Sequence, residues 1–136
     1  MRQAVTAGAL ALALALGAGC GASGERRVAL PAGFPDDLPV PAGATVRAAQ
    51  DLGERGLNVV FETAGDEPAV AARQRAGLAG SGWRLVAEMA DAEGEFTSWR
   101  KEGRSVAVGV SRGARGVIVS LGYVGRPAGR AEGDQG

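Results

Sequence analysis

Between residues 44 and 124, short apolar runs alternate with turn signals. Leu57, Val59 and Phe61 interleave with Asn58, Val60 and Glu62; Val106, Val108 and Val110 with Ser105, Ala107, Gly109 and Ser111. Val117, Val119, Leu121 and Tyr123 likewise interleave with Ile118, Ser120 and Gly122. A period of two sends the first set in each case to one face of a pleated strand, the expected core face. Trp83, Leu85, Ala87 and Met89 read the same way against Arg84, Val86 and Glu88. Over 95–101, Phe96 and Trp99 fall on opposite faces unless a bulge intervenes. The separators are Gly53-Glu54-Arg55-Gly56, Asp91-Ala92-Glu93-Gly94, Lys101-Glu102-Gly103-Arg104 and Gly113-Ala114-Arg115-Gly116. Glycine-bearing turns at such close intervals predict antiparallel strands joined as hairpins.

One stretch breaks this rhythm. From Glu67 to Gly80 the spacing of Val70, Gln74 and Leu78, with Ala71 alongside, predicts a helix. Asp66 suits its N-cap, Glu67 favours its first turn, and Pro68 is tolerated there because its missing N–H would be unpaired in any case. Gly82 should end the helix and Trp83 begin the next strand. The apolar stripe is thin, and Gly77 and Gly80 each cost about 1 kcal/mol relative to Ala. Packing on the sheet must therefore hold this helix. Ahead of the strands, Phe34-Pro35-Asp36-Asp37-Leu38-Pro39-Val40-Pro41-Ala42-Gly43-Ala44 carries prolines that forbid a helix interior and favour extended backbone. Phe34, Leu38 and Val40 are expected to tuck against the domain. The predicted fold is α+β, an antiparallel sheet of about five or six strands with one helix on one face, in the order β-β-α-β-β-β-β. It occupies residues 34–124, and 125–136, with no apolar periodicity, reads as a disordered tail.

The apolar pattern at the N-terminus is of another kind. After Met1-Arg2, the uncharged Ala7–Ala18 run is too short to span a hydrocarbon core of about 30 Å but fits the h-region of an export signal. Small residues follow, ending in Gly17-Ala18-Gly19-Cys20. This segment resembles a bacterial lipoprotein signal, in which small residues precede a cysteine. The resemblance implies that the Cys20 thiol takes a diacylglyceryl group, that residues 1–19 are removed, and that the new amino terminus can itself be acylated. It departs in one place: Leu16 stands four residues before Cys20, where the family usually has Leu three before it. The alternative is ordinary signal-peptidase cleavage near Gly17 to Ala22, giving a soluble secreted protein. Gly21 is not the Asp that signals inner-membrane retention in some bacteria with two membranes, so the resemblance implies the outer membrane, facing the periplasm. Residues 20–33, rich in Gly, Ala, Ser and charge, read as a flexible tether.

Composition narrows the chemistry. The 136 residues hold 15 basic and 15 acidic side chains, no His and one Cys. There is no imidazole base, no His–Cys or Ser–His–Asp arrangement, no internal disulfide and no thiolate zinc site to be made. The balanced charge gives no footprint for nucleic acid. A lone thiol in an oxidising compartment is a liability that acylation removes, and two or more acyl chains make a stable anchor. No cofactor or metal is expected. Adjacent Asp36 and Asp37 suit turn or capping duty better than acid–base work. Asp91, Glu93 and Glu95 could collect a hard cation but lack the spacing of a calcium loop and read first as a solvated hairpin tip. Gly113–Gly116, with Arg112 and Arg115, could cradle an anion but reads first as a hairpin turn. Lys101, the sole lysine, has no catalytic motif around it. Trp99, with Arg100 and Arg84, is the candidate for stacking on sugar rings, whereas Trp83 is expected in the core.

The expected outer sheet face is small and uncharged: Ala107, Gly109, Ile118, Ser120 and Gly122 beside Val60 and Val86. Such a face invites contact with another surface, unless the proline-rich segment or the tail covers it or it simply stands exposed. The proline segment 34–44, the helix from Asp66 to Gly82-Trp83 and the strands after it together resemble small bacterial lipoproteins of unknown function. The likeness spans most of residues 34–124. It implies an anchored extracytoplasmic domain and brings no catalytic residues. Related helices usually place aromatics where Arg73 and Gln74 stand, so a weaker helix contact or a polar gap is expected on that face. The expectation is therefore a membrane-anchored, non-enzymatic domain that binds a protein or envelope component. A cell-wall or polysaccharide binder using Trp99, Arg100 and Arg84 is the alternative. An enzyme would need two carboxylates about 5–10 Å apart in a deep cleft.

Overall fold

The computed structural model describes residues 28–125. The expected signal segment, Cys20 and nearly all of the expected tail lie outside the described residues. Six strands form one sheet: β1 (Thr45–Asp51), β2 (Leu57–Thr63), β3 (Arg84–Asp91), β4 (Gly94–Lys101), β5 (Arg104–Arg112) and β6 (Val117–Val124). A single helix, α1 (Glu67–Gly80), sits between β2 and β3, and a short 3-10 turn, Gly53–Arg55, joins β1 to β2. The order across the sheet is β1-β2-β6-β5-β4-β3, with every neighbouring pair antiparallel. The chain makes a hairpin, crosses the whole sheet through α1, and returns as a four-stranded meander whose last strand pairs with β2. The α+β fold and the element order are those the sequence predicts.

One face of the sheet carries the core. Leu57, Val59, Phe61, Trp99, Val106, Val108, Val110, Val117, Val119 and Leu121 are buried there with Val70, Ala71 and Leu78 of α1. Fully burying one such side chain contributes about 1.5–3 kcal/mol, so this layer outweighs the weak propensity of a helix with two glycines. Asp66 occupies the N-cap position with extended backbone, although its side chain makes no capping hydrogen bond. At the other end Gly82, at φ 92°, follows the Ser81 C-cap. Its N–H donates to the Ala79 carbonyl, and the Trp83 N–H donates to that of Leu78. This paired closure needs a left-handed residue, which glycine supplies without a Cβ clash.

Two expectations are corrected. The proline segment is not extended: it folds through three successive turns, with the N–H groups of Phe34, Leu38 and Ala44 donating to the carbonyls of Pro31, Pro35 and Pro41. Gly43, at φ 67°, supplies the positive dihedral of the third. This strap lies on the core side of the sheet. Leu38 is buried and Phe34 meets Phe61 edge to face at 6.3 Å, but Val40 stays exposed. In β3 the alternation breaks at a bulge between Leu85 and Ala87. Trp83 and Leu85 pack on the core, whereas Ala87 and Met89 turn outward and Glu88 turns inward. One extra residue on one strand reverses every later side chain, and Val86 is that residue. Strand β4 has no bulge against β5, so Phe96 and Trp99 do take opposite faces.

Candidate functional site

The helix and the strap cover one side of the sheet; among the described residues nothing covers the other side. Its central rows read Val60, Ser120, Gly109, Phe96, Met89 and, next to them, Asn58, Gly122, Ala107, Ser98, Ala87. The expected residues Ala107, Gly109, Ile118, Ser120, Gly122 and Val60 share this face, and the β3 bulge adds Met89 and Ala87 to it. The strap is excluded as its cover, because it packs on the opposite side. Small residues from β5 and β6 make a floor, and Met89 and Phe96, 65% and 46% exposed, rise at its edge. Between them lies an open depression of about 530 Å³, lined also by Gly109, Ser111 and Ser120 and bordered by Asp91 and Glu93. Charge on this face is confined to its ends. Arg47 pairs with Glu62 at 2.9 Å near the β1 edge, and Arg84 faces Arg100 across the β3–β4 pair.

The saccharide candidates do not assemble. Trp99 is only 4% exposed, on the core face, and its indole N–H donates to Thr97 Oγ1 at 2.9 Å. Arg84 and Arg100 are exposed on the opposite face. A buried ring offers no plane for stacking, so the three residues make no common surface. Trp83 is in the core as expected, and its indole N–H donates to the Asp37 carbonyl at 2.9 Å.

The acidic candidates serve the fold. Asp36 and Asp37 are the two central residues of the Pro35–Leu38 turn. Asp37 does more: its carboxylate accepts from Lys101 Nζ at 2.8 Å and from Arg104 Nη2 at 2.7 Å. Lys101 Nζ also donates to the Ser81 carbonyl at the end of α1, and the Arg104 guanidinium lies 5.0 Å from the Trp83 ring centre. The Arg104 hydrogen bond, with help from Lys101, outweighs desolvation and lowers the Asp37 carboxyl from its ordinary 3.8 to about 2. Asp37 and then Tyr123 hold the Arg104 guanidinium above its ordinary range. This cluster clips the strap to the helix end and the β4–β5 hairpin.

Asp91 Oδ1 accepts from the N–H groups of Glu93 and Gly94, closing the β3–β4 turn. Glu95 faces the core side and binds Arg75 of α1 at 3.0 Å; Glu88 binds the same guanidinium at 2.8 Å. Glu95 first, then Glu88, raise the Arg75 pKa. The Asp91, Glu93, Glu95 trio is thus divided between a turn and a helix clamp, and no group of metal-ligating side chains occurs among the described residues. At Gly113–Gly116 the Gly113 N–H is taken by the Gly116 carbonyl, as a hairpin turn requires. Of the two outcomes expected near Arg73 and Gln74, the structure has a small cavity between α1 and the strap, bordered by Thr63 and Pro41. Gln74 is buried there, and its Nε2 finds no hydrogen-bond partner among the described residues.

Sequence reasoning found the open face and missed the Asp37 clip, whose partners stand 64 and 67 residues away. Searches with protein-family models, among curated proteins and among solved structures each return no match to the chain.

Proposed function

We propose that the chain is an extracytoplasmic lipoprotein, acylated at Cys20, whose folded domain binds a protein partner through the open face of its sheet and carries out no chemistry. We place it in the cell envelope, at the outer membrane facing the periplasm, following the likeness of residues 7–20 to a lipoprotein signal. One observation carries the binding reading. The sheet has a closed side and an open side, and the open side is broad, lined by small residues and almost free of charge between its two ends. A face of this kind gains free energy by being covered, roughly 25 cal/mol per Å² of apolar area removed from water. Glu88 and Glu95 are engaged with Arg75, and Asp37 with Lys101 and Arg104.

The test is photo-crosslinking in intact cells from Ser120, on the open face, and from Ala72, exposed on the helix side. The reading expects an adduct from Ser120 that Ala72 does not give and that Phe96→Asp removes. The same adducts from both positions, or none from Ser120, would refute it, and fluorescence quenching by cell-wall fragments would favour the saccharide reading. For the anchor, labelled palmitate should enter the wild type and not Cys20→Ser.

A further inference from the structure

A second apolar surface lies away from the open sheet face, where the described chain begins. Val28, Leu30 and Val40 are 37%, 39% and 48% exposed. Leu30 and Val40 line a depression of about 350 Å³ whose other walls are Pro31, Phe34, Pro35 and Leu38, with Asp36 as its single charged residue. Nothing among the described residues covers it. Its position in the sequence identifies what does. Val28 follows Cys20 by eight residues, a reach of at most about 26–29 Å fully extended. Residues 21–27 include Glu25, Arg26 and Arg27, a net positive charge that suits anionic headgroups.

We infer that the strap corner formed by Leu30, Phe34 and Val40 is a membrane-contact surface that rests on the phospholipid bilayer holding the anchor. The inference depends on acylation at Cys20 as proposed above. The anchor raises the local concentration of this corner at the lipid surface to the millimolar range, so a contact too weak to hold a free protein becomes populated. Partial insertion of a few apolar side chains at the headgroup boundary is then enough to orient the domain. With the strap side down, the open sheet face on the far side of the fold is directed away from the lipid, toward a partner.

The experiment exploits the lone cysteine. Once Cys20 is acylated, no thiol remains, and Val40→Cys can be labelled at that position alone with an environment-sensitive dye. Full-length acylated protein is reconstituted into vesicles of phosphatidylethanolamine and phosphatidylglycerol. The Val40→Cys label should shift its emission to the blue and be quenched by lipid-borne nitroxides; a Ser120→Cys label should do neither. Leu30→Cys serves as an independent second probe of the corner. If the protein floats with the vesicles but the corner labels stay as wet as that at Ser120, the surface contact is refuted while the anchor stands. If the protein neither takes palmitate nor floats, the anchor and the contact fall together.

Discussion

Asp37 illustrates how much one side chain can organise. It sits in a turn of the strap and accepts from Lys101 and Arg104, which belong to the β4–β5 hairpin, while Lys101 also closes on the helix end. Its folded pKa of about 2 lies below the ordinary 3.8, so the clip stabilises fully above pH 3.8 and is lost as pH falls through about 2. The carboxylate is partly open to solvent, and screening leaves a contribution of about 1 kcal/mol. Asp37→Asn should therefore lower the unfolding free energy from urea titration at pH 7 by about 1 kcal/mol, and flatten the acid limb of the stability curve. Gln74 makes the opposite case. Its buried Nε2 is unpaired among the described residues, and an unpaired buried donor costs about 1–3 kcal/mol. Gln74→Met keeps the length and removes the donor; we expect an increase of about 1 kcal/mol in unfolding free energy. Neither role was legible in the sequence. Two adjacent aspartates read as a turn, which is correct, but pairing with cations more than sixty residues away is set by the fold. Gln74 could be placed on the buried stripe from its spacing, not credited with a lost hydrogen bond.

At the scale of elements, α1 was legible because helix spacing, proline near its start and glycine past its end agree. The role of its internal glycines was not. A Cβ on Gly77 would meet Pro39 Cβ at 2.9 Å, so this glycine is where the strap crosses the helix, whereas one on Gly80 would meet nothing within 4 Å. Gly80→Ala should stabilise by about 0.5–1 kcal/mol from propensity and reduced unfolded-state freedom. Gly77→Ala should lower stability, because the rigid proline ring must move; thermal melting of the two variants side by side checks the contrast. Strand β3 shows the reverse limit. Every second residue from Trp83 to Met89 is apolar, and that regularity misled because the bulge at Val86 exchanges the faces after Leu85. The device is concealed in an edge strand, where irregular pairing disturbs only one neighbour. It carries Glu88 inward to Arg75 and releases Met89 to the open face.

For the whole molecule, the separation of a covered side from an open side explains why stability and binding should respond to different residues. Charge placed on the open face by Ser120→Glu removes no core contact, and we expect melting to change by less than about 0.5 kcal/mol while the crosslink from a neighbouring open-face position is lost. The architecture was readable from turn spacing and period-two runs; the strap's side was not, since proline counts say where a helix is forbidden and nothing about which face a chain will cross. Topology adds a further consequence. Strand β6 lies between β2 and β5, so the last of the six described strands is the wedge that unites the first hairpin with the returning ribbon. Until residues 117–124 emerge, neither part has its neighbour, and the many contacts between distant stretches of chain must wait. A polypeptide delivered amino end first thus keeps its sheet in two separate parts until β6 arrives, a property suited to threading through a narrow pore before closing.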